Sequence, residues 1–545
     1  MDKRFFLALL LSLVVVALSQ VLFPAPKRTS APVTQSVAPV TDSVKSEPAE
    51  MGSSAPAKTA GESGTKNVAG EERRTTIATD KVVYTFSNLG ASPVSIAMKD
   101  YANRSAIGQR VDLAAAGARL LAYRLVIAAD TIPLEKVSFE QRTQPLPDGG
   151  SVLGYSATVN NVPVKISYTF GKTAYVFHVS AAVGGSTGAY LMTYLPNTLR
   201  SAEADTTTDQ RSLAYVYKGV RDRPGSVLFG KMDPGEIRLE TGPLKWVAVK
   251  NKYFVLGIIA DRTPFSEANF TGGARTSKVA THATASVVQP ANQGAFSFDV
   301  YAGPQEWKRL VAMGNDFDHV NPYGWKFLQA VVHPVASLVI QLLLWMHNVL
   351  RLSYGWVLVI LGLAVRLVLW PLNQSTMRSS LRMQSVQPKL AAVQKKYKDD
   401  PRKQQEEIMK VYQEEGISPL APLLGCLPAL LPMPIFFALF FVFQNTIEFR
   451  GVPFLWLHDL SAKDPLYIIP LLMGVSMYVL SWIGMRNAPP NPQTKMMTYM
   501  FPVMMTVFLL NMASGLNLYY TAQNLAALPQ QWLIARERLR VQPKS

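Results

Sequence analysis

Arg366 stands in an unusual setting for a charged side chain. It lies within Leu358-Val359-Ile360-Leu361-Gly362-Leu363-Ala364-Val365-Arg366-Leu367-Val368-Leu369, an apolar run with no acidic residue. Counted inward from Tyr354 along a helix, the residue would sit about 18 Å into a bilayer at 1.5 Å per residue. A lone cation at that depth costs roughly 2.5–3.5 kcal/mol on insertion scales. Two arrangements meet that cost. The side chain can snorkel to the nearer face, two turns away. Alternatively, it can line a water-filled cavity. None of the other long apolar segments carries an Asp or Glu to neutralise it. In a cavity, the missing anion would then be free to come from a bound client.

Further polar side chains could line such a cavity. Asn517, Tyr519, Tyr520, Gln523 and Asn524 fall in the last apolar segment, together with Ser514 and Thr521, while Thr506 and Asn511 fall in the one before. Tyr520 and Asn524 are i and i+4, and Asn517 is three residues before Tyr520, so a helix puts the three on one face. Tyr519 and Tyr520 also suit an ordinary aromatic belt at a membrane interface. Residues 374–416 have a different character. Val386, Leu390, Val393 and Tyr397 recur at helical spacing, as do Ile408, Val411 and Tyr412. Between them, Asp400 can cap a second helix that starts at Pro401 and ends near Gly416. The spacing predicts a basic helical hairpin with a thin apolar seam. Met383, Gln387, Pro388 and Lys389 sit on its first arm and Tyr412 on its second. It is either a solvated hairpin on lipid headgroups or a docking element for a client or targeting factor. Methionine is concentrated beyond Met346, which suits both plastic client contacts and ordinary membrane packing.

Enzyme chemistry finds little support. The six histidines are scattered without metal-ligand spacing, and no paired carboxylates or nucleophile elbow occur in the apolar segments. Gly225-Ser226-Val227-Leu228-Phe229-Gly230-Lys231 imitates a phosphate loop, but Met232 replaces the hydroxyl residue that would hold magnesium. No catalytic residue, metal or cofactor is expected. The one cysteine, Cys426, excludes an internal disulfide.

The elements that must position these groups follow from composition. The chain is 48% hydrophobic, yet 17% charged with a net charge of +17. It divides into soluble and bilayer parts. Lys3 and Arg4 precede an apolar run at 5–23, an anchor or a cleavable signal that sends the following chain outward. Residues 25–74 lack any hydrophobic period and read as a disordered linker. From 75 to 320, alternation such as Val164, Ile166, Tyr168 and Phe170 against Lys165, Ser167 and Thr169 predicts an all-β sandwich outside the membrane. Similar runs fall at 82–86, 246–249, 253–259 and 295–301. Within 321–352, the apolar stretch 331–346 reads as an interfacial amphipathic helix, with a true span as the alternative. Five spans follow within 353–540, near 354–372, 423–443 and 466–485, with two more between 496 and 535 that turn at Met512-Ala513-Ser514-Gly515. With the anchor they make six transmembrane helices, and residues 541–545 form a tail. Nine cations in 373–420 and the basic tail contrast with two, Arg450 and Lys463, in 446–465. The positive-inside rule then places both termini and the hairpin in the cytoplasm and the β region outside. Topology and anionic lipid absorb the surplus charge without nucleic acid. A ribosome near the basic tail is compatible with it.

Several segments together resemble one family. Val365-Arg366-Leu367-Val368-Leu369-Trp370-Pro371-Leu372 looks like the arginine-bearing span of YidC-type (YidC/Oxa/Alb) membrane protein insertases. Gln387-Pro388-Lys389, Gly425-Cys426-Leu427-Pro428, Met433-Pro434-Ile435-Phe436, Asp459-Leu460-Ser461-Ala462-Lys463-Asp464-Pro465 and Ser514-Gly515-Leu516-Asn517-Leu518-Tyr519-Tyr520 are similar to its other signatures. Lys245-Trp246-Val247-Ala248-Val249 with Tyr253-Phe254 resembles the periplasmic domain of its Gram-negative members. The resemblance implies an inner-membrane insertase and chaperone, acting on nascent integral membrane proteins alone or with the Sec translocon. It further implies a hydrophilic groove, open to cytoplasm and lipid, in which Arg366 attracts acidic residues of a client. The chain departs from the family pattern at three places. Gly362 replaces a hydroxyl residue, Pro432 replaces a glutamine, and 419–425 is about three residues longer than the family pattern. The competing function is a transporter or channel, which would show broken helices and an internal repeat.

Overall fold

The structure, a computed structural model, describes residues 71–127, 130–147, 149–171, 175–184, 188–275, 280–321, 323, 328–371, 374, 386, 389–398, 400–414, 433–485 and 492–541. The N-terminal anchor, nearly all of the linker, Cys426, Pro432, Met383, Gln387 and Pro388 lie outside them.

The alternating segments become antiparallel strands in two sheets. Arg74–Ala78, Val82–Ser87, Ser92–Ala102 and Arg110–Asp112 form a four-stranded sheet in that order. A second sheet contains fourteen strands among the described residues. The expected hairpin is present: Val162–Phe170 pairs with Val176–Val183 in a register that sets Phe170 opposite Phe177. Val164, Ile166, Tyr168 and Phe170 are buried, as alternation requires. The long strand Ile237–Lys250 organises the larger sheet. Its first half pairs with Phe265–Gly272 and its second half with Phe254–Ala260. A strand that changes partner midway lets one continuous sheet turn a corner. The small sheet then covers part of the large one, with Tyr84 and Phe86 against Tyr168, Phe170 and Phe177 at centroid distances of 4.5–6.2 Å. Of the phosphate-loop imitation, Gly225–Leu228 is a strand paired with Ala214–Gly219 and Phe229–Lys231 is a 3-10 turn.

Beyond the β domain the chain is helical. We label Gln329–Leu350 α1, Tyr354–Val368 α2, Pro401–Glu414 α3, Met433–Asn445 α4, Ile468–Met485 α5, Pro492–Leu509 α6 and Ser514–Val541 α7. α1 packs on α4, α2 on α7, and α5 on both α6 and α7. The expected break between the last two spans falls between Leu509 and Ser514. α1 is longer than the 331–346 expectation. Among the described residues it is the one helix long and apolar enough, by length and composition, to cross a membrane. Tyr354–Val368, Ile435–Asn445, Ile468–Gly484 and Thr498–Leu509 are apolar but shorter. Many apolar side chains on these helices point outward, among them Leu338, Trp345, Leu471, Val475, Val503 and Val507. A water-soluble fold rarely exposes so much contiguous apolar surface, whereas a bilayer covers it.

The loop between α4 and α5 docks on the β domain. Arg450 Nε donates to Glu203 Oε1 at 2.6 Å, and its Nη2 donates to the carbonyls of Ala102 and Ala202 at 2.9 and 3.0 Å. Arg104 pairs with Asp459, and Ile447 is buried within the β-domain core. The α6–α7 turn sits on the same loop, with Ser514 N donating to Ala462 O at 2.7 Å. That loop, the turn and the β domain therefore share one end of the helical region.

Candidate functional site

Arg366 occupies the last turn of α2. Its side chain is half-buried, and its buried Nε has no hydrogen-bond acceptor among the described residues. No described carboxylate pairs with it. The reason α2 lies where it does is visible one turn earlier. A Cβ added at Gly362 would meet the Tyr519 carbonyl at 3.0 Å, Ala522 Cβ at 3.2 Å and the Gln523 amide nitrogen at 3.3 Å. Glycine here lets α2 and α7 approach backbone to backbone. α7 therefore leaves little room for a side chain at this position. Farther along, Gln530 Nε2 donates to the Trp370 carbonyl at 3.1 Å. The two helices run in the same direction, and Arg366 lies between these two contact levels.

The polar residues expected on α7 divide into two groups. Asn517 is fully buried and donates to the Leu509 carbonyl at 3.0 Å, tying the start of α7 to the end of α6. Asn524 donates to Ser476 Oγ at 3.1 Å, linking α7 to α5. Both hold helices together. Tyr519 and Tyr520, by contrast, have buried hydroxyls without a partner among the described residues. Their rings meet each other at 5.1 Å, and Tyr520 also meets Phe436 of α4 at 5.4 Å. Gln523 is half-buried, with its main chain beside Gly362. The main chain of Tyr519 and Gln523 thus lies beside Gly362, one turn before Arg366, while the Tyr520 ring packs toward α4. Gln530, which the sequence reading did not single out, joins them with an unpartnered Oε1. Its buried amide between two apolar helices was the available signal. The seam provides one fixed cation and several unsatisfied polar atoms beside apolar walls. It can attract an anion, and nothing in it resembles a nucleophile with its base.

Of the hairpin, the described part matches its expected capping. Asp400 Oδ1 accepts from the Lys403 amide at 3.2 Å as α3 begins at Pro401. Val386 and Tyr412 are buried, and Gln404 Nε2 donates across to the Gln394 carbonyl at 3.1 Å, joining the two arms. Lys389 is exposed and also engaged in a contact.

At the opposite end, the signature Asp459–Pro465 has a structural task. Asp464 is fully buried and accepts from the amides of Leu466 and Ile469 at 3.0 and 2.8 Å, starting α5. Asp459 Oδ1 accepts from Gly451 N, Ser461 N and Ser461 Oγ at 3.0, 2.9 and 2.7 Å. Burial pushes the Glu448 carboxyl up to about 7, with the Glu306 carboxylate adding to the rise. One of its oxygens accepts from Trp307 N at 3.3 Å and the other is buried without a partner. Glu203 is also raised by burial, against the pull of Arg450. This clamp was not legible in the sequence beyond the sparse charge of its loop.

Two family descriptions match the chain: "60Kd inner membrane protein" over residues 345–541 and "YidC periplasmic domain" over residues 74–334. Among curated relatives, "Membrane protein insertase YidC" of Chlorobaculum tepidum is 30% identical, covering 85% of this chain and 82% of that protein. The protein of the same name from Chloroherpeton thalassium is 30% identical over 85% of this chain and 83% of its own length.

Proposed function

The chain belongs to the YidC family of membrane protein insertases, inner-membrane proteins with a periplasmic domain that are not enzymes, and we propose that its activity resides at the α2–α7 seam around Arg366. The carrying observation is a half-buried guanidinium without a carboxylate partner among the described residues. In a low-dielectric setting such a charge attracts an anion strongly, because little water competes for it. Acidic residues in a client's translocated tail supply that anion. The client's transmembrane helix then leaves along the apolar wall into lipid. The hairpin of α3 and the preceding arm receives clients at the cytoplasmic side, near anionic lipid and the ribosome. Small clients use this protein alone, and larger ones use it beside the Sec translocon, where it also acts as a chaperone.

The topology we assign has six spans, cytoplasmic termini and an outer β domain. Both ends of α1 lie near that domain. The His333 ring at its start lies 4.1 Å from that of His319. His347 near its end stacks at 4.1 Å on Tyr354, whose ring packs on Phe449 of the docked loop at 5.2 Å. A helix with both ends on one side does not cross, so α1 lies along the outer leaflet despite its sufficient length.

The test uses vesicles containing only this protein and a small client with an acidic translocated tail. Arg366→Ala is expected to slow insertion about tenfold, the equivalent of about 1.4 kcal/mol, while Arg366→Lys retains most of the rate. Equal rates for wild type and Arg366→Ala would end the charge-attraction account.

A further inference from the structure

Two histidines far from the α2–α7 seam meet where the β domain hands the chain over to α1. His319 and Asp318 lie on a single 3-10 turn, Phe317–Val320, at the end of the β domain. His333 lies in the first turns of α1. The three side chains offer ligand atoms that all lie within 4.8 Å of one another. The imidazole rings are 4.1 Å apart and tilted by 36°. His319 Nδ1 and His333 Nε2 are both buried and lack a hydrogen-bond partner among the described residues. Tyr323 closes one side, with its ring 5.8 Å from that of His333.

Two unsatisfied imidazole nitrogens beside a carboxylate are costly to bury as they stand. A single divalent cation would satisfy all three groups. We propose that Asp318, His319 and His333 bind one transition-metal ion of the zinc class, and that this ion fastens the end of the β domain to α1. Two nitrogen donors with one oxygen favour zinc, or cobalt and nickel as surrogates, over magnesium and calcium, which prefer oxygen alone. Three protein ligands leave a fourth tetrahedral position for water. The role is that of a staple. The site lies at the outer end, away from Arg366, so it is independent of the insertion mechanism proposed above.

The sequence hides this site. His319 and His333 are fourteen positions apart, on different elements, with no spacing that announces a shared ion. Only the approach of the start of α1 to the last turn of the β domain brings them together.

The experiment uses the full-length chain in detergent, purified through a tag without histidine and stripped with a chelator. Zinc is added, excess is removed by desalting, and retained metal is measured per chain. Wild type is expected to retain one equivalent and to melt at a higher temperature with zinc than without. His319→Ala and His333→Gln are expected to weaken binding at least about a hundredfold, beyond the 10–100-fold typical of losing an outer-shell partner. Each variant's melting curve without metal shows whether it folds. His282→Ala, at an exposed position just before the strand Ala283–Pro290, should bind like wild type. Wild type that retains no zinc would overturn the proposal without reference to any variant. So would folded variants that bind as tightly as wild type.

Discussion

The β domain and the helical region differ in where they put apolar surface. In the β domain, large aromatic side chains are buried, some with their polar ends engaged: Trp246 Nε1 donates to Asn315 O at 3.0 Å, and the Tyr215 hydroxyl donates to Ala283 O at 2.7 Å, whereas the buried Tyr155 hydroxyl has no partner among the described residues. Its exposed large hydrophobics are few. In the helical region much of the apolar surface lies outside. Apolar side chains face outward along α1, α5 and α6, while Arg366 Nε, the Tyr519 and Tyr520 hydroxyls and Gln530 Oε1 are buried without partners among the described residues. Apolar surface on that scale suits lipid, as the more polar surface of the β domain suits water.

That contrast can be broken at several points. Trp246→Ala should remove about 3–5 kcal/mol from the β domain, by the usual loss for a large core aromatic. Denaturant unfolding would measure it, and vesicle insertion should stay near the wild-type rate. A parallel loss of insertion by a membrane-integrated protein would show that the β domain is not accessory.

Gly362→Leu tests the other region. The added side chain would push against the Tyr519 carbonyl and the Gln523 amide, costing about 1–3 kcal/mol by overpacking. Insertion should fall while the β domain unfolds as before. Unchanged insertion would mean that the α2–α7 approach is not needed for the site.

The junction between the regions should respond to pH. Glu448 has a folded-state value of about 7, above its unfolded value of 4.5. The folded state therefore binds the extra proton. The stabilisation is fully present below pH 4.5 and is lost as pH rises through 7. Docking of the α4–α5 loop should weaken by on the order of 1–3 kcal/mol between those limits. Glu448→Gln should flatten that slope in pH-dependent melting. An identical slope in the variant would assign the effect to other groups.

The smallest effect is expected in the hairpin. Asp400→Ala removes the cap of α3 and should cost about 1 kcal/mol. Faster hydrogen exchange in the first turn of α3, with none in the β domain, would show it.

Much of this was readable from residue order. Alternation such as Val164 to Phe170 specified strands with one buried face, because side chains in a strand point alternately to opposite sides. Asp400 and Pro401 marked the start of a helix through local backbone chemistry. Arg366 stood out because a charge among aliphatic neighbours needs no tertiary information to be noticed. Other readings needed the fold. Asn517 and Asn524 were grouped with Tyr520 by helical spacing, yet they serve as links to neighbouring helices, since spacing fixes a face and not what packs against it.

Sequence by itself therefore determined the division into a β domain and an apolar helical region, the capped hairpin and the isolated cation. Periodicity, capping and charge are local properties. Tertiary structure alone decided that Gly362 is an approach point for α7, that both ends of α1 lie near the β domain, that Arg450 clamps Glu203, and that Asp318, His319 and His333 converge. Each of these depends on which distant surfaces meet, and the energy that selects them is the burial of whole faces rather than the preference of any single residue.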